Sequence, residues 1–574
     1  MKKAIPVLIA IFLILIIGGV SFGKVYYDKY SYSKERADLN AYFGISDGEI
    51  AIILQDELIP EKAVLRDGRC YLDLDTVHSY LNEIFYADMG EQLLLYATPT
   101  DVVCAQFGGS SYVTAEGEQP LGYVIAYEEN GTVFVAMDYV KLFTNYAYEV
   151  FDQHMQLTTQ WEPQRVARVL KKTWVRERGG VKSAILRDVA EGETVEILEE
   201  MENWSKIKTS DSFVGYIENK RLSGQTQVEE NPVTDYVEPE YTVQHLDGKV
   251  CLGFHSIGGQ GGNDTLDSMI AGTKGMNVIA PTWFSLSDEE GNFRSFGSAD
   301  YVNKAHNKGL QVWAVLDDFN YRLETGTSID DLNILSSTTK RTHLINGVME
   351  KAAALGVDGI NLDFEKVSSE AGIHYVEFLR ELSVACRNKG LVLSADNYVP
   401  FQFNNYYRLD VQGQVLDYCI IMGYDEHWHG SKDPGSVASI GYVSNGLERT
   451  LQNVPADKVV NALPFYTIIW KIVDADVSDE YLTMNNQASY MNSVNAEVKW
   501  DEETCQNYGE WTVGDTTYRI WLEDAESIAV KLNVMNTHNI GGAAVWRLGY
   551  GTPEVWNLLD TYVKTENVLL EETE

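Results

Sequence analysis

The residues best suited to chemistry lie in one short stretch, Gly356 to Glu365, which reads Gly-Val-Asp-Gly-Ile-Asn-Leu-Asp-Phe-Glu. Apolar residues alternate there with Asn361, Asp363 and Glu365, and this alternation predicts a buried strand that ends in acids. Because alternate residues of a strand share one face, we expect the three polar side chains to point the same way. Burying carboxyl groups together separates their pKa values, so that one of them can hold a proton near neutrality. A general acid needs such a proton; an exposed polar strand face is the alternative interpretation.

This stretch resembles the catalytic strand of glycoside hydrolase family 18, whose pattern is Asp-x-x-Asp-x-Asp-x-Glu. Asp358 matches the first aspartate, Asp363 the third and Glu365 the terminal glutamate, whereas Asn361 replaces the second aspartate. The resemblance implies that Glu365 is the acid/base and that Asp363 orients the substrate's own 2-acetamido group, which acts as the nucleophile. Asn361 can only hydrogen-bond, so the proton sharing between the second and third aspartates of the family does not carry over.

Two further predicted strand ends carry the same resemblance. The run Ile420 to Asp425 resembles the family's Met-x-Tyr-Asp motif and includes Met422. The resemblance implies that Tyr424 hydrogen-bonds the acetamido carbonyl and that Asp425 contacts sugar hydroxyls or that carbonyl. Trp546 matches the family's tryptophan on the barrel floor, where an aromatic plane packs against a pyranose ring. A core tryptophan is the alternative for Trp546.

Other residues that follow predicted strands could line a sugar pocket, and each of them could equally be structural. They are found in Thr282–Phe284, Asp317–Asp318, Asp396–Tyr398 and Pro464–Tyr466. Trp283 and Tyr466 are taken from this set as candidate substrate-binding residues, together with Asn361. The segment Glu426–His429 holds two histidines without a third ligand at suitable spacing, so no metal site and no cofactor are predicted.

The order of strand and helix signals after about residue 247 predicts a (β/α)8 TIM barrel over 247–562. The predicted strands are Val250–Phe254, Met276–Pro281, Gln311–Leu316, Gly359–Phe364, Leu391–Ala395, Tyr418–Met422, Val459–Leu463 and Gly542–Trp546. Active sites of such barrels lie at the carboxyl ends of the strands, and Asp363 and Glu365 fall at that end of the fourth.

The residues before the barrel predict several smaller parts. Residues 24–164 mix strand and helix signals and are interpreted as an α+β membrane-proximal module. Residues 165–223 carry short, closely spaced strands that resemble a bacterial SH3-like domain, which implies binding to cell-wall polymers. Residues 224–246 are acidic and contain prolines, as is typical of a linker, and 563–574 form an acidic tail.

The N-terminus predicts contact with a membrane. Residues 1–23 begin Met-Lys-Lys and continue as an apolar run of nearly the 20 or so residues that span a bilayer. This segment is interpreted as a single-pass anchor of the bacterial cell membrane with the remaining chain outside, and a cleaved signal peptide with secretion is the alternative.

Composition limits the remaining possibilities. The 574 residues have a formal net charge of -39, which argues against nucleic acid as a partner. Six widely spaced cysteines predict no disulfide framework, and Cys251 and Cys419 are interpreted as buried thiols.

The combined motifs around Trp283, Tyr424 and Trp546 are similar to the bacterial members of family 18 that cleave peptidoglycan, including N-acetylglucosaminidases that act on spore cortex. We therefore expect a retaining hydrolase that cleaves at N-acetylglucosamine residues of peptidoglycan. A chitinase and a non-catalytic glycan-binding surface protein are the alternatives.

Overall fold

The computed structural model describes residues 5–229, 231–232, 234 and 236–564. Residues 1–4 of the predicted anchor, three residues of the predicted linker and residues 565–574 of the predicted tail lie outside the described residues. The chain divides into two compact units. The first contains residues up to 85, 105–112 and 118–238, and the second contains 86–104, 113–117 and 239–574.

The first unit begins with the helix Ile5–Tyr30, of which Val7–Tyr30 is long and apolar enough to cross a membrane. Seven strands then form one sheet, in the order Ala147–Val150, His154–Thr158, Glu49–Leu54, Glu57–Arg66, Arg69–Asp73, Thr132–Ala136 and Ala126–Glu129. Short helices lie at Leu39–Phe43, Leu74–Tyr80 and Met137–Val140. Asp38 and Asp73 cap the first two of these helices by accepting backbone N–H groups.

A second seven-stranded sheet of this unit contains the predicted SH3-like segment. Its order is Ile185–Val189, Thr173–Arg176, Val214–Glu218, Trp204–Thr209, Thr194–Glu200, Gln164–Arg168 and Thr226–Val228. The short, closely spaced strands predicted for residues 165–223 are confirmed. The strand Thr226–Val228 pairs with Gln164–Arg168, so the segment predicted as a linker starts within this sheet.

The second unit contains the predicted barrel, and its eight predicted strands are confirmed. They are β1 (Val250–His255), β2 (Val278–Pro281), β3 (Gln311–Asp317), β4 (Gly359–Asp363), β5 (Val392–Tyr398), β6 (Tyr418–Met422), β7 (Val459–Pro464) and β8 (Gly542–Trp546). All eight run parallel in the order β2-β1-β8-β7-β6-β5-β4-β3, and pairing of β2 with β3 closes the barrel. Nearly every residue of these strands is buried, which explains their almost continuous apolar sequences.

Helices cover the outside of the barrel between successive strands. They are Leu266–Met269, Ala299–His306, Asn320–Thr325, Asp331–Leu335, Thr338–Leu355, Gly372–Lys389, Leu409–Val415, Ile440–Thr450, Ala525–Thr537 and Pro553–Lys564. Short 3-10 turns lie at Gln260–Thr265, Gln402–Tyr407 and Ala456–Lys458, and Asn219–Arg221 is the corresponding turn of the first unit. A small hairpin, Phe284–Leu286 with Phe293–Ser295, follows β2.

The sequence did not predict the insertion between β7 and β8. Five antiparallel strands form its sheet, namely Tyr466–Val473, Asp476–Thr483, Val498–Asp501, Gln506–Val513 and Thr516–Leu522, with the helix Met484–Val494 packed beside them. Five further short strands lie at Tyr86–Asp88, Leu93–Ala97, Val102–Gln106, Ser111–Thr114 and Gly117–Pro120.

All six cysteines are free thiols, and Cys251 and Cys419 are buried.

One prediction about β4 is wrong in detail. The strand ends at Asp363, so Glu365 lies in the following loop and does not continue the alternation of Asn361 and Asp363. The reason is the side chain of Asp318, whose carboxylate oxygens accept the backbone N–H groups of Glu365 and Lys366 at 3.0 and 2.8 Å. These bonds replace the ladder bonds that a longer strand would make.

Candidate active site

A cavity of about 320 Å³ opens at the carboxyl ends of the barrel strands, within the size range of small-molecule sites. Its lining consists of acidic and aromatic side chains: Phe254, Phe319, Asp363, Glu365, Asp396, Tyr398, Met422, Tyr424, Asp425, Tyr466, Tyr481, Thr483, Trp546, Arg547 and Tyr550. The candidates Glu365, Asp363, Tyr424, Asp425, Met422, Trp546 and Tyr466 all contact this one space.

Two buried aspartates lie side by side on neighbouring strands at the cavity floor. Asp363 is only 6% exposed, and the register of β4 against β5 places Asp396 next to it. Burial, then the charges of Glu365 and Asp396, raises the pKa of Asp363 well above its ordinary value. Burial likewise raises the pKa of Asp396 to about 8, which favours its protonated form. Asp363 Oδ1 has no hydrogen-bond partner among the described residues and is free to accept one from a ligand.

Asn361 lies one layer below this floor and does not line the cavity. Its amide Nδ2 donates to Ser394 Oγ at 3.1 Å and to Asp396 Oδ1 at 3.0 Å. The bond to Asp396 favours the charged carboxylate and so opposes the effect of burial on the pKa of that group. Asn361 therefore acts on the site through Asp396, and a direct contact with substrate is not supported by its position.

Glu365 reaches the cavity from the loop that Asp318 holds. The hydroxyl of Tyr398, the last residue of β5, donates to Glu365 Oε2 at 2.6 Å. Burial raises the pKa of Glu365, whereas the bond from Tyr398 and the charge of Lys366 lower it. The side chain is thus fixed in direction and keeps a proton to a higher pH than an exposed glutamate would.

The end of β6 supplies the opposite wall of the cavity. Tyr424 is buried with its ring against Tyr466 at a centroid distance of 6.3 Å. Asp425 follows with a φ of 59°, a left-handed conformation that aspartate tolerates better than most residues, and its carboxylate accepts a hydrogen bond from the Tyr466 hydroxyl. Burial raises the pKa of Asp425, and the bond from Tyr466 opposes that rise.

Trp546, at the end of β8, gives the cavity an aromatic surface. Its ring lies 5.6 Å from that of Phe254 on β1 and remains partly open to the cavity. The neighbouring Arg547 donates to the Tyr550 hydroxyl at 2.6 Å. An aromatic face beside polar groups suits a sugar ring, which presents an apolar face and a polar edge.

Two sequence candidates lie elsewhere. Trp283 is 1% exposed, and its indole N–H donates to Asn263 Oδ1 at 2.9 Å, so it belongs to the barrel core and not to the cavity. Asp358 lies at the start of β4, where it accepts from the Val312 N–H and contacts His306. No group of three metal-ligating side chains lies together anywhere in the described parts of the chain.

Asp396 and Tyr398 lie in the segment Asp396–Tyr398, which the sequence analysis expected as a possible pocket segment without giving either residue a specific role. Other lining residues escaped the sequence analysis. Tyr481 and Thr483 come from the insertion sheet, about 60 residues before β8, and no local pattern connects them to the cavity. Their role depends on how the insertion folds over the barrel.

Comparison with known proteins agrees with this geometry. The model of glycosyl hydrolases family 18 matches residues 286–551, and the model of the bacterial SH3 domain matches residues 174–223. A cortical fragment-lytic enzyme of Bacillus anthracis is 26% identical over 252 residues, which are 41% of this chain and 57% of that protein. The putative sporulation-specific glycosylase YdhD of Bacillus subtilis (strain 168) is 27% identical over 236 residues, 39% of this chain and 55% of that protein.

A class V chitinase of Arabidopsis thaliana is 26% identical over 250 residues, 38% of this chain and 64% of that protein. The chain thus spans a little over half the length of the two Bacillus proteins. The barrel and its acidic cavity agree with the two matches: residues 286–551 match the model of glycosyl hydrolases family 18, and residues 174–223 match the model of the bacterial SH3 domain.

Proposed function

We propose that this protein is a retaining glycoside hydrolase that cleaves bacterial peptidoglycan at N-acetylglucosamine residues with help from the substrate's 2-acetamido group. One observation carries the proposal: Asp363, Glu365 and Tyr424 line the same cavity as the aromatic ring of Trp546. These groups supply an acid, an acceptor for an amide N–H, a hydroxyl and a stacking plane, which together suit an acetamido sugar.

The reaction begins when Glu365 donates its proton to the oxygen of the leaving sugar. The acetamido carbonyl oxygen attacks the anomeric carbon as the bond to the leaving sugar breaks, and a cyclic oxazolinium forms. Glu365, now a carboxylate, takes a proton from water, which attacks the anomeric carbon from the vacated side and opens the ring. Two displacements at one carbon retain the anomeric configuration.

Asp363 and Tyr424 hold the acetamido group in place. The free Oδ1 of Asp363 accepts the acetamido N–H, and the hydroxyl of Tyr424 donates to the carbonyl oxygen, so this oxygen lies against the anomeric carbon. Positive charge then develops on the acetamido group and favours the ionised form of Asp363. Burial favours the protonated form of Asp396, and this weakens its repulsion of the ionised Asp363.

The choice of peptidoglycan has two supports. The two Bacillus relatives are named a cortical fragment-lytic enzyme and a sporulation-specific glycosylase. The bacterial SH3 domain would bind cell-wall polymers and raise the effective concentration of the barrel there. The apolar helix would hold the protein in the cell membrane with the barrel outside.

The decisive experiment incubates the full-length protein in detergent with purified peptidoglycan and, separately, with chitin oligomers, and analyses the fragments by mass. We expect new N-acetylglucosamine reducing ends from peptidoglycan, first seen as the retained anomer by proton NMR. Brisk cleavage of chitin with untouched peptidoglycan would favour the chitinase alternative. Binding without cleavage of either glycan would favour a non-catalytic surface protein.

A further inference from the structure

A groove of about 560 Å³ lies beside the catalytic cavity, and Tyr398 lines both spaces. The segment that follows β5 and the end of the helix Ile440–Thr450 form its sides. Since the hydroxyl of Tyr398 bonds to Glu365, the groove begins on the side of the cavity where the acid lies. That side receives the leaving sugar, because the acid protonates the oxygen of the leaving sugar.

Two phenylalanines form an exposed platform, of which Phe401 lines the groove and Phe403 lies beside Phe401 outside the lining. Phe401 and Phe403 stack with centroids 5.5 Å apart and planes 9° from parallel. Phe403 is 78% exposed, an unusual position for a large apolar side chain. An open aromatic face beside a carbohydrate cavity is suited to stack on the apolar face of a pyranose ring.

Amide side chains surround the platform and suit sugar hydroxyls. Gln402, Asn405, Gln452 and Asn453 line the groove and are exposed. Each amide offers both a donor and an acceptor, as a hydroxyl does. The groove therefore combines stacking and hydrogen-bonding groups, the two kinds of contact that carbohydrate sites use.

The groove also carries an exposed arginine, Arg449, which lines a neighbouring pocket together with Glu426, Asp501 and Glu503. The guanidinium of Arg449 lies 4.6 Å from the centre of the Phe401 ring and donates to the Pro400 carbonyl at 3.2 Å. It forms no ion pair within the described part of the chain, whereas the other arginine of the groove, Arg408, is paired with Asp410. In a chain with a net charge of -39, an exposed arginine that is left unpaired favours an anionic ligand.

We propose that the surface formed by Phe401, Phe403 and Arg449 binds the leaving side of the glycan and selects a sugar that carries a carboxylate. This inference rests on the proposed function and makes it more specific: the sugar in the cavity supplies the acetamido group, and the next sugar bears an anionic substituent. Lactyl and peptide carboxylates of peptidoglycan fit that description, and the uncharged units of chitin do not. Guanidinium binds carboxylate through paired N–H groups, so Arg449 would recognise this substituent directly.

Binding tests the proposal without turnover. The full-length Glu365→Gln protein would be titrated with soluble peptidoglycan chains and with the same chains after their carboxylates are converted to amides. Adding Arg449→Gln should weaken binding of the anionic chains about three- to fivefold, the range of an exposed charge pair, and leave the amidated chains unaffected. Adding Phe403→Ala should weaken binding of both chains about fivefold, since stacking does not depend on the charge.

Lys351→Gln is the matched control, because Lys351 is exposed near the end of the helix Thr338–Leu355 and does not line the groove. It should leave both affinities unchanged. Equal effects of Arg449→Gln on the two kinds of chain, or no effect on either, would overturn the proposal while the wild-type protein still cleaves peptidoglycan. A wild-type protein that neither binds nor cleaves any glycan would overturn the proposed function itself.

Discussion

At the scale of single residues, Glu365 carries the strongest prediction. Glu365→Gln keeps the size of the side chain and can still accept the hydrogen bond from Tyr398, but it has no proton to transfer. We expect kcat on an unactivated glycan to fall by about a hundredfold or more, the usual range for loss of general acid catalysis. Reducing-end assays measure this rate, and Glu370→Gln, an exposed glutamate five residues later, should remain active. Normal turnover by a folded Glu365→Gln protein would show that another group is the acid.

Tyr398 gives a second prediction, about pH. Its hydroxyl lowers the pKa of Glu365 by bonding to the carboxylate, so Tyr398→Phe should raise that pKa. Because the protonated form of Glu365 is the active acid, the variant should stay active to a higher pH, and the alkaline limb of the kcat/KM profile should move upward. If Tyr398 had only a structural role, the variant would be slower at every pH, and the alkaline limb of its kcat/KM profile would not move.

At the scale of elements, the residues just after the apolar helix extend the SH3 sheet. The Ser33 N–H donates to the Val181 carbonyl at 2.8 Å, and Ile185 exchanges backbone bonds with Glu35 and Ala37 at 2.8 and 2.9 Å. The buried guanidinium of Arg176 donates to the Ser33 carbonyl at 2.9 Å. Residues 33–37 therefore pair with the edge of this sheet and cover backbone groups of Val181 and Ile185.

This contact predicts how a soluble form should be made. A chain that starts at residue 38 leaves Arg176 with an unpaired buried donor, and we expect it to lose about 1–3 kcal/mol of stability in the SH3 domain relative to a chain that starts at residue 31. Thermal unfolding followed by tryptophan fluorescence would compare the two chains. Identical unfolding curves would mean that residues 33–37 contribute nothing.

At the scale of the whole molecule, location is the property to test. If Ile5–Tyr30 crosses the membrane with its short Lys-Lys head inside, protease added to cells stripped of their wall should digest the barrel and spare a cytoplasmic marker. Complete protection of the barrel would contradict this topology. N-terminal sequencing of the mature protein decides between anchor and signal peptide, since a cleaved chain would begin near residue 24.

The sequence by itself determined the barrel and the acidic end of β4. The eight strands are buried on both faces, so each appears as a nearly continuous apolar run that ends in polar residues, a strong local pattern. Because parallel strands present their carboxyl ends at one edge, Asp363, Tyr424 and Trp546 could be assigned to one face before any contact was known.

Only the tertiary structure decided the details on which the chemistry depends. Asp396 accepts a hydrogen bond from Asn361 on the adjacent strand, Asp318 ends β4 early from its place just after β3, and Tyr398 donates a hydrogen bond to Glu365. Trp283 follows β2 as a pocket residue would, yet it turns into the core because Asn263 satisfies its indole N–H there. These contacts join residues about 20 to 50 positions apart, and a side chain's local sequence does not specify which distant partner will satisfy it.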